Sequence, residues 1–283
     1  MAEISAAEVK RLREKTGAGM MECKNALVST GGDFDGAEKL LKEKGLAALE
    51  KRADRVTNSG RVFVKASGDT VLMAEISCET DFVSLNPDFI ETGNLVAAKA
   101  LEKGCDETDP ELTGIVAELA TKIRENMTLR RISVTKAGEG ERLASYVHGE
   151  GEIGVVVKCS CDKPEVLASD ETGAFVFSLA LHVAAFNPFA LDRGKIEPAY
   201  IAEQEEIFRK QVEQDEKLQG KPAAVVEGIL KGKLNKHLGD ICLMDQGYVK
   251  DEKMTVAQAL AEQSKSTGAK IGIAGFAYFR VGS

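Results

Sequence analysis

No run of apolar residues in this chain of 283 approaches the ~18 that a membrane-spanning helix needs. The start, MAEISAAEVK, has neither an apolar stretch behind a basic opening nor Arg-rich transit character, so no leader is expected. Histidine is scarce, at three, and the six cysteines (23, 78, 105, 159, 161 and 242) are scattered. That spacing fits reduced thiols and a cytoplasmic protein. Cys159-Ser160-Cys161 has no second Cys or His pair at zinc spacing, so neither a metal nor another cofactor is expected. A basic stripe is missing too: net charge is −8 and lysines alternate with Glu and Asp. Phosphate backbones need clustered Lys and Arg, which argues for a protein or small-molecule partner and against nucleic acid. No Ser/His/Asp set, paired-carboxylate signature or P-loop is visible, which speaks against an enzyme.

What is present is patterned and long enough for two or more domains. Residues 1–55 read as three short helices. Ser5 and Glu8 form a capping box ahead of Val9 and Leu12, and Thr16-Gly17-Ala18-Gly19 breaks that helix. Met20 to Leu27 starts the second, Gly31-Gly32-Asp33 ends it, and Phe34, Ala37, Leu40 and Leu41 stripe a third before Gly45. Leu46 to Asn58 is a charged linker able to continue as helix.

From Arg61 the period becomes two. Arg61–Lys65 and Thr70–Ile76 flank Ser67-Gly68-Asp69, a hairpin signature. A helix opens at Asn86-Pro87, with Phe89, Ile90, Val96 and Ala97 inward, and another at Asp109-Pro110, with Leu112, Ile115, Val116, Leu119 and Ile123 inward. Leu129 to Val134 reads as a strand. The order then recurs: Leu143–His148 and Ile153–Lys158 flank a turn, and an apolar helix runs from about Ala174 to Phe186, where HVAA echoes an earlier LVAA. This predicts a duplicated α+β core with antiparallel sheets, covering 56–140 and then 141–197 with 238–283. Residues 198–237 interrupt the second copy as a helical hairpin, with Gly220 as stop and Pro222 as start. Ile241–Met244 and Phe276–Arg280 read as closing strands around a helix capped by Thr255 and Gln258.

Several residues invite a chemical role. Gly149 to Gly154, GEGEIG, matches a dinucleotide fingerprint, but a strand follows it and two glutamates would repel phosphate, so a hairpin turn is the reading. Cys78 has acids beside it, the wrong surroundings for a thiolate. His182 lies on an apolar helix face and reads as a core histidine; His148, at a strand end, suits structure or contact equally. One of Met20 and Met21 should enter the small core and the other stay outside as an adaptable apolar contact. The sharpest anomaly is Thr80-Asp81-Phe82-Val83, on a connection of acids and hydroxyls: its apolar residues either tuck under the next helix or are held out for something else to bury.

The stretch VKRLREKTGAGMMECKNALVSTGGDFDGAEKLLKEKG followed by AEISCETDFVSLNPDF resembles the translation elongation factor Ts family. ENMTLRRI at 125–132 and SYVHGEGEIGVVV at 145–157 extend the likeness nearly end to end. The resemblance implies an N-terminal ubiquitin-associated-like (UBA-like) domain, two related core subdomains, and a coiled-coil hairpin that dimerises some members. It implies a guanine-nucleotide exchange factor whose partner is elongation factor Tu, working without covalent chemistry. By the same likeness Asp81 and Phe82 enter the partner near its magnesium and phosphate site, with Thr80 and Val83 shaping the loop. Arg13, Met20, Met21 and His148 would be further contacts. The chain stops at Phe279-Arg280-Val281-Gly282-Ser283, where some members continue into another helix that touches the partner. A plain adaptor remains the main alternative of another class, and it predicts a dispensable Phe82.

Overall fold

The computed structural model describes residues 4–215, 218 and 221–283. Gly220, expected to stop the first hairpin helix, lies outside the described residues, as do the first three of the N-terminal stretch. The chain separates into two compact units. One runs to Thr135 and takes in Val147–Gly154 and Phe279–Ser283; the other comprises Lys136–Tyr146 and Val155–Tyr278.

The first unit opens with α1 (Ala6–Thr16), α2 (Met20–Ser29) and α3 (Phe34–Glu50). The capping box is made: Glu8 N–H donates to Ser5 Oγ at 3.2 Å and Ser5 N–H to Glu8 Oε2 at 3.0 Å. Val9, Leu12, Cys23, Ala26, Leu27, Ala37 and Leu41 close a small core. One expectation fails here. Both Met20 and Met21 are outside, because the inward stripe of α2 is Cys23, Ala26 and Leu27 and begins one turn later. α3 runs through Gly45 to Glu50, so the charged stretch after it begins as helix, a course the sequence left open. Gly45 serves close packing: a Cβ there would stand 2.1 Å from Thr121 Cγ2.

Next come β1 (Ser59–Ser67) and β2 (Thr70–Cys78), antiparallel from Ser59 opposite Cys78 to Ser67 opposite Thr70, joined by Gly68-Asp69 as read from the sequence. A one-turn helix α4 (Asp81–Ser84), α5 (Pro87–Lys103), α6 (Pro110–Ile123) and β3 (Met127–Lys136) follow. Asn86 caps α5 through Asp88 N–H at 2.8 Å, with Pro87 at the first helical position. β2 is the middle strand of the order β1-β2-β3 and is buried from Val71 to Cys78. Phe63, Leu72, Ile76, Val83, Phe89, Val96, Leu112 and Val116 belong to one core cluster.

β2 also buries an acid. Glu75 accepts from Arg131 Nε at 2.6 Å and from Gly282 N–H at 3.1 Å, so its charge is matched where water cannot reach.

The second sheet joins β4 (Glu141–His148) and β5 (Ile153–Cys161) to a strand that returns at the chain's end. Between them lie α7 (Pro164–Ala168), α8 (Asp170–Phe186), α9 (Pro198–Gln214), α10 (Ala223–Ile241), the short strands β6 (Gly247–Tyr248) and β7 (Asp251–Thr255), and α11 (Val256–Thr267), before β8 (Ile271–Arg280). The order β4-β5-β8 repeats that of β1-β2-β3: a hairpin, then helices, then a strand beside the hairpin's second strand. The architecture is mixed helix and sheet, as expected.

Ile241–Met244 is not a strand. α10 absorbs Ile241, Leu243–Asp245 forms a 3-10 turn, and Cys242 keeps a single bridge to Ala190. α9 and α10 pack on each other through Tyr200, whose hydroxyl lies 3.0 Å from His237 Nε2. His182 is a core histidine as read: Val249 N–H donates to its Nδ1 at 3.2 Å, and its Nε2 faces Gln246 Oε1 at 3.0 Å.

Candidate functional site

The segment after β2 is fixed before it projects. Glu79 Oε1 accepts from Asn126 N–H at 2.6 Å. Thr80 gives both its donors to Glu125, N–H at 3.1 Å and Oγ1 at 2.8 Å. Asn126 is buried and its amide donates to the carbonyls of Ala53 and Arg55, at 3.1 and 2.9 Å. The Glu125-Asn126 pair ahead of β3 is therefore a clamp on the entry to α4. In the sequence these two residues had no role beyond their place in ENMTLRRI, because the burial of Asn126 follows only from the fold.

Asp81 then starts the turn, exposed, its Oδ1 accepting from Phe82 N–H at 3.0 Å and its carbonyl from Ser84 Oγ at 2.8 Å. The question posed by the two apolar residues has a divided answer. Val83 is buried, at 7% exposure, in the cluster with Phe63 and Phe89, whereas Phe82 is 82% exposed. Successive residues of a helix point about 100° apart, so one turn can anchor with one side chain and present the other. Leu85, three residues on from Phe82, is also exposed, which widens the apolar surface. Leaving Phe82 in water forgoes about 1.5–3 kcal/mol of burial.

Cys78, beneath this turn, is inert. Burial first, then the charges of Glu125 and Asp81, push its thiol up to about 12, and its Sγ donates to Thr80 O at 3.2 Å.

His148 ends β4 and is exposed, next to the half-exposed Val147. The turn Gly149–Gly151 follows it, and β5 begins at Ile153, so the fingerprint-like GEGEIG indeed precedes a strand. This turn and α4 meet at Arg61 on β1, which bonds to Ser84 and to Glu150. The turn that carries Asp81–Val83 and the turn that follows His148 are thus linked through Arg61, a residue the sequence reading passed over as one of an alternating strand.

Arg13 on α1, and Met20 and Met21 on α2, are each exposed. Their three-helix element is attached to α6: Lys42 pairs with Glu118 at 3.3 Å and Arg124 pairs with Glu22. The Glu22 carboxyl is held below its ordinary range by the Gly19 amide and, beyond that, by the Arg124 charge. Among the described residues, no group of three or more His, Cys, Asp and Glu could hold a metal ion. No helix among them is long and apolar enough to cross a membrane.

A family model described as elongation factor TS matches residues 79–283, starting at the clamped entry to α4. The chain belongs to the elongation factor Ts family. Similar proteins over nearly the full length agree. Elongation factor Ts of Treponema denticola is 46% identical over 280 residues, 99% of each chain. That of Borrelia hermsii is 44% identical over 280 residues, again 99% of each. That of Borreliella afzelii is 43% identical over 285 residues, covering 100% of both. The family is one of translation elongation factors.

Proposed function

We propose that the chain is a guanine-nucleotide exchange factor that binds elongation factor Tu in its GDP-bound form, disturbs the magnesium and phosphate site, and promotes GDP release. The observation that carries this reading is the exposure of Phe82 on a turn anchored by Val83 and clamped by Glu125. Asp81 and Phe82 are the working residues, with Thr80 and Val83 holding them. Arg13, Met20 and Met21 contribute contacts from α1 and α2, and His148 from the end of β4. Ile207 and Val225, exposed on α9 and α10, suit a contact arm between two copies. The domain limits near residues 55, 140, 197 and 237 and a cytoplasmic location belong to the same reading.

Exchange needs differential binding. The factor must favour the partner's nucleotide-free conformation over the GDP-bound one, and whatever weakens GDP weakens the factor in return. A ~1000-fold weakening corresponds to about 4 kcal/mol of coupling. One phenylalanine supplies ~1.5–3 kcal/mol, so the wedge acts within a broader interface. No covalent bond changes.

The test is release of a fluorescent GDP analogue from purified elongation factor Tu. Wild type should accelerate it strongly, and Phe82→Ala should lower the maximal rate while remaining folded. Acceleration that survives the substitution would move the mechanism to the wider surface. No acceleration by a wild type that still binds would favour an adaptor.

A further inference from the structure

Arg61 reaches both contact segments of the first unit. Its Nε–H donates to the Ser84 carbonyl at 2.5 Å, and its guanidinium stands 3.4 Å from Glu150 Oε2. Ser84 is the last residue of α4, so its carbonyl is one that a helix end leaves without an internal donor. A guanidinium supplies that donor and still has others for the carboxylate.

Glu150 has φ 57 and ψ 26, in the left-handed region that side chains other than glycine seldom adopt. It sits between Gly149, φ 57, and Gly151, φ 103. A Cβ on Gly151 would come 3.2 Å from Arg61 Cβ, so the turn lies directly on the Arg61 stem. An unfavourable backbone at Glu150 persists where the surroundings hold it, and here it brings a carboxylate to Arg61.

We infer that Arg61 is a positioning residue: it ties the end of the Asp81–Ser84 turn to the turn after His148, so that Phe82 and His148 meet the partner as one pre-set surface. This rests on the exchange reading above for its functional readout. Ordering a contact surface before encounter removes a cost from binding and leaves the bound complex unaltered. Loss of Arg61 therefore acts on the concentration needed, whereas loss of Phe82 acts on the plateau.

Nucleotide release is titrated with wild type, Arg61→Met, Glu150→Gly and the double variant. Arg61→Met should raise the half-saturating concentration on the order of tenfold with the plateau rate kept. Glu150→Gly relieves the backbone and removes the carboxylate. It should raise the half-saturating concentration severalfold with thermal stability unchanged or improved, an outcome a purely structural role does not give. The double variant should be no worse than Arg61→Met. A wild-type titration for Arg61→Met, a lowered plateau, or effects that simply multiply would overturn the assignment. If Arg61→Met does not fold, Glu150→Gly carries the same test. Hydrogen exchange of the free protein decides separately from any partner. The Leu85 and Asn86 amides, which donate to Asp81 and Val83 carbonyls at 3.2 and 3.0 Å, should exchange faster in both single variants. Unchanged protection would sink the proposal even if release were never accelerated.

Discussion

Phe82 and Val83 are adjacent in the chain and opposite in energetic role. Val83 shares the core with Phe63 and Phe89, so Val83→Ala should cost about 1–3 kcal/mol in urea unfolding. Phe82→Ala deletes a side chain already in water and should leave the unfolding midpoint within about 0.5 kcal/mol of wild type. A large loss of stability in Phe82→Ala would show that the ring packs in solution. The sequence contained the anomaly, an aromatic on a polar connection, but not its resolution. Which of two neighbours turns inward depends on where the turn starts, and Thr80 and Glu125 decide that across a long stretch of chain. Arg61 was illegible for the same reason: an alternating strand gives no sign that one side chain will meet Ser84 and Glu150.

At the scale of elements, local signals worked where they act locally. The Gly68-Asp69 turn, the Asn86-Pro87 and Asp109-Pro110 helix starts and both capping boxes stand where side-chain chemistry places them. Glycine marks packing as well as helix ends. Gly45 does not stop α3, which runs on to Glu50, and its missing side chain lets α3 lie against Thr121 of α6. Gly45→Val should therefore push α3 from Thr121 and cost about 1–3 kcal/mol, measured by thermal or urea unfolding. A neutral result would mean that Thr121 simply rotates away. Ile241–Met244, read as a strand, failed because a short apolar run is common to strands and buried helix ends, and periodicity cannot separate them.

For the molecule as a whole, pH offers a handle on the second unit. Burial holds the His182 imidazole below its ordinary pKa, with the Gln246 bond pulling the other way. Val249 N–H points at Nδ1, which must therefore accept, and Nε2–H is left to donate to Gln246. A proton on Nδ1 would face another donor. The unfolded chain takes up that proton near pH ~6.5 and the folded one only below it. Stability from this group is complete above about pH 6.5 and declines as pH falls. Melting temperature should thus drop between about pH 7.5 and about pH 5.5, and His182→Gln should flatten that slope whatever its absolute stability. Equal slopes would assign the dependence elsewhere.

The placement of sulfur has a consequence for the life of such a molecule under oxidative stress. All six cysteines are free thiols, five of them buried, and burial pushes Cys78 and Cys159 up to about 12. Thiolate character and access govern attack by peroxide, so these thiols are poor targets. Met20 and Met21 stand exposed at the start of α2. Oxidant therefore reaches thioethers on a proposed contact face before it reaches the thiols of the cores. The damage would be a polar sulfoxide on the surface, repairable by reductases, in a chain whose fold is untouched.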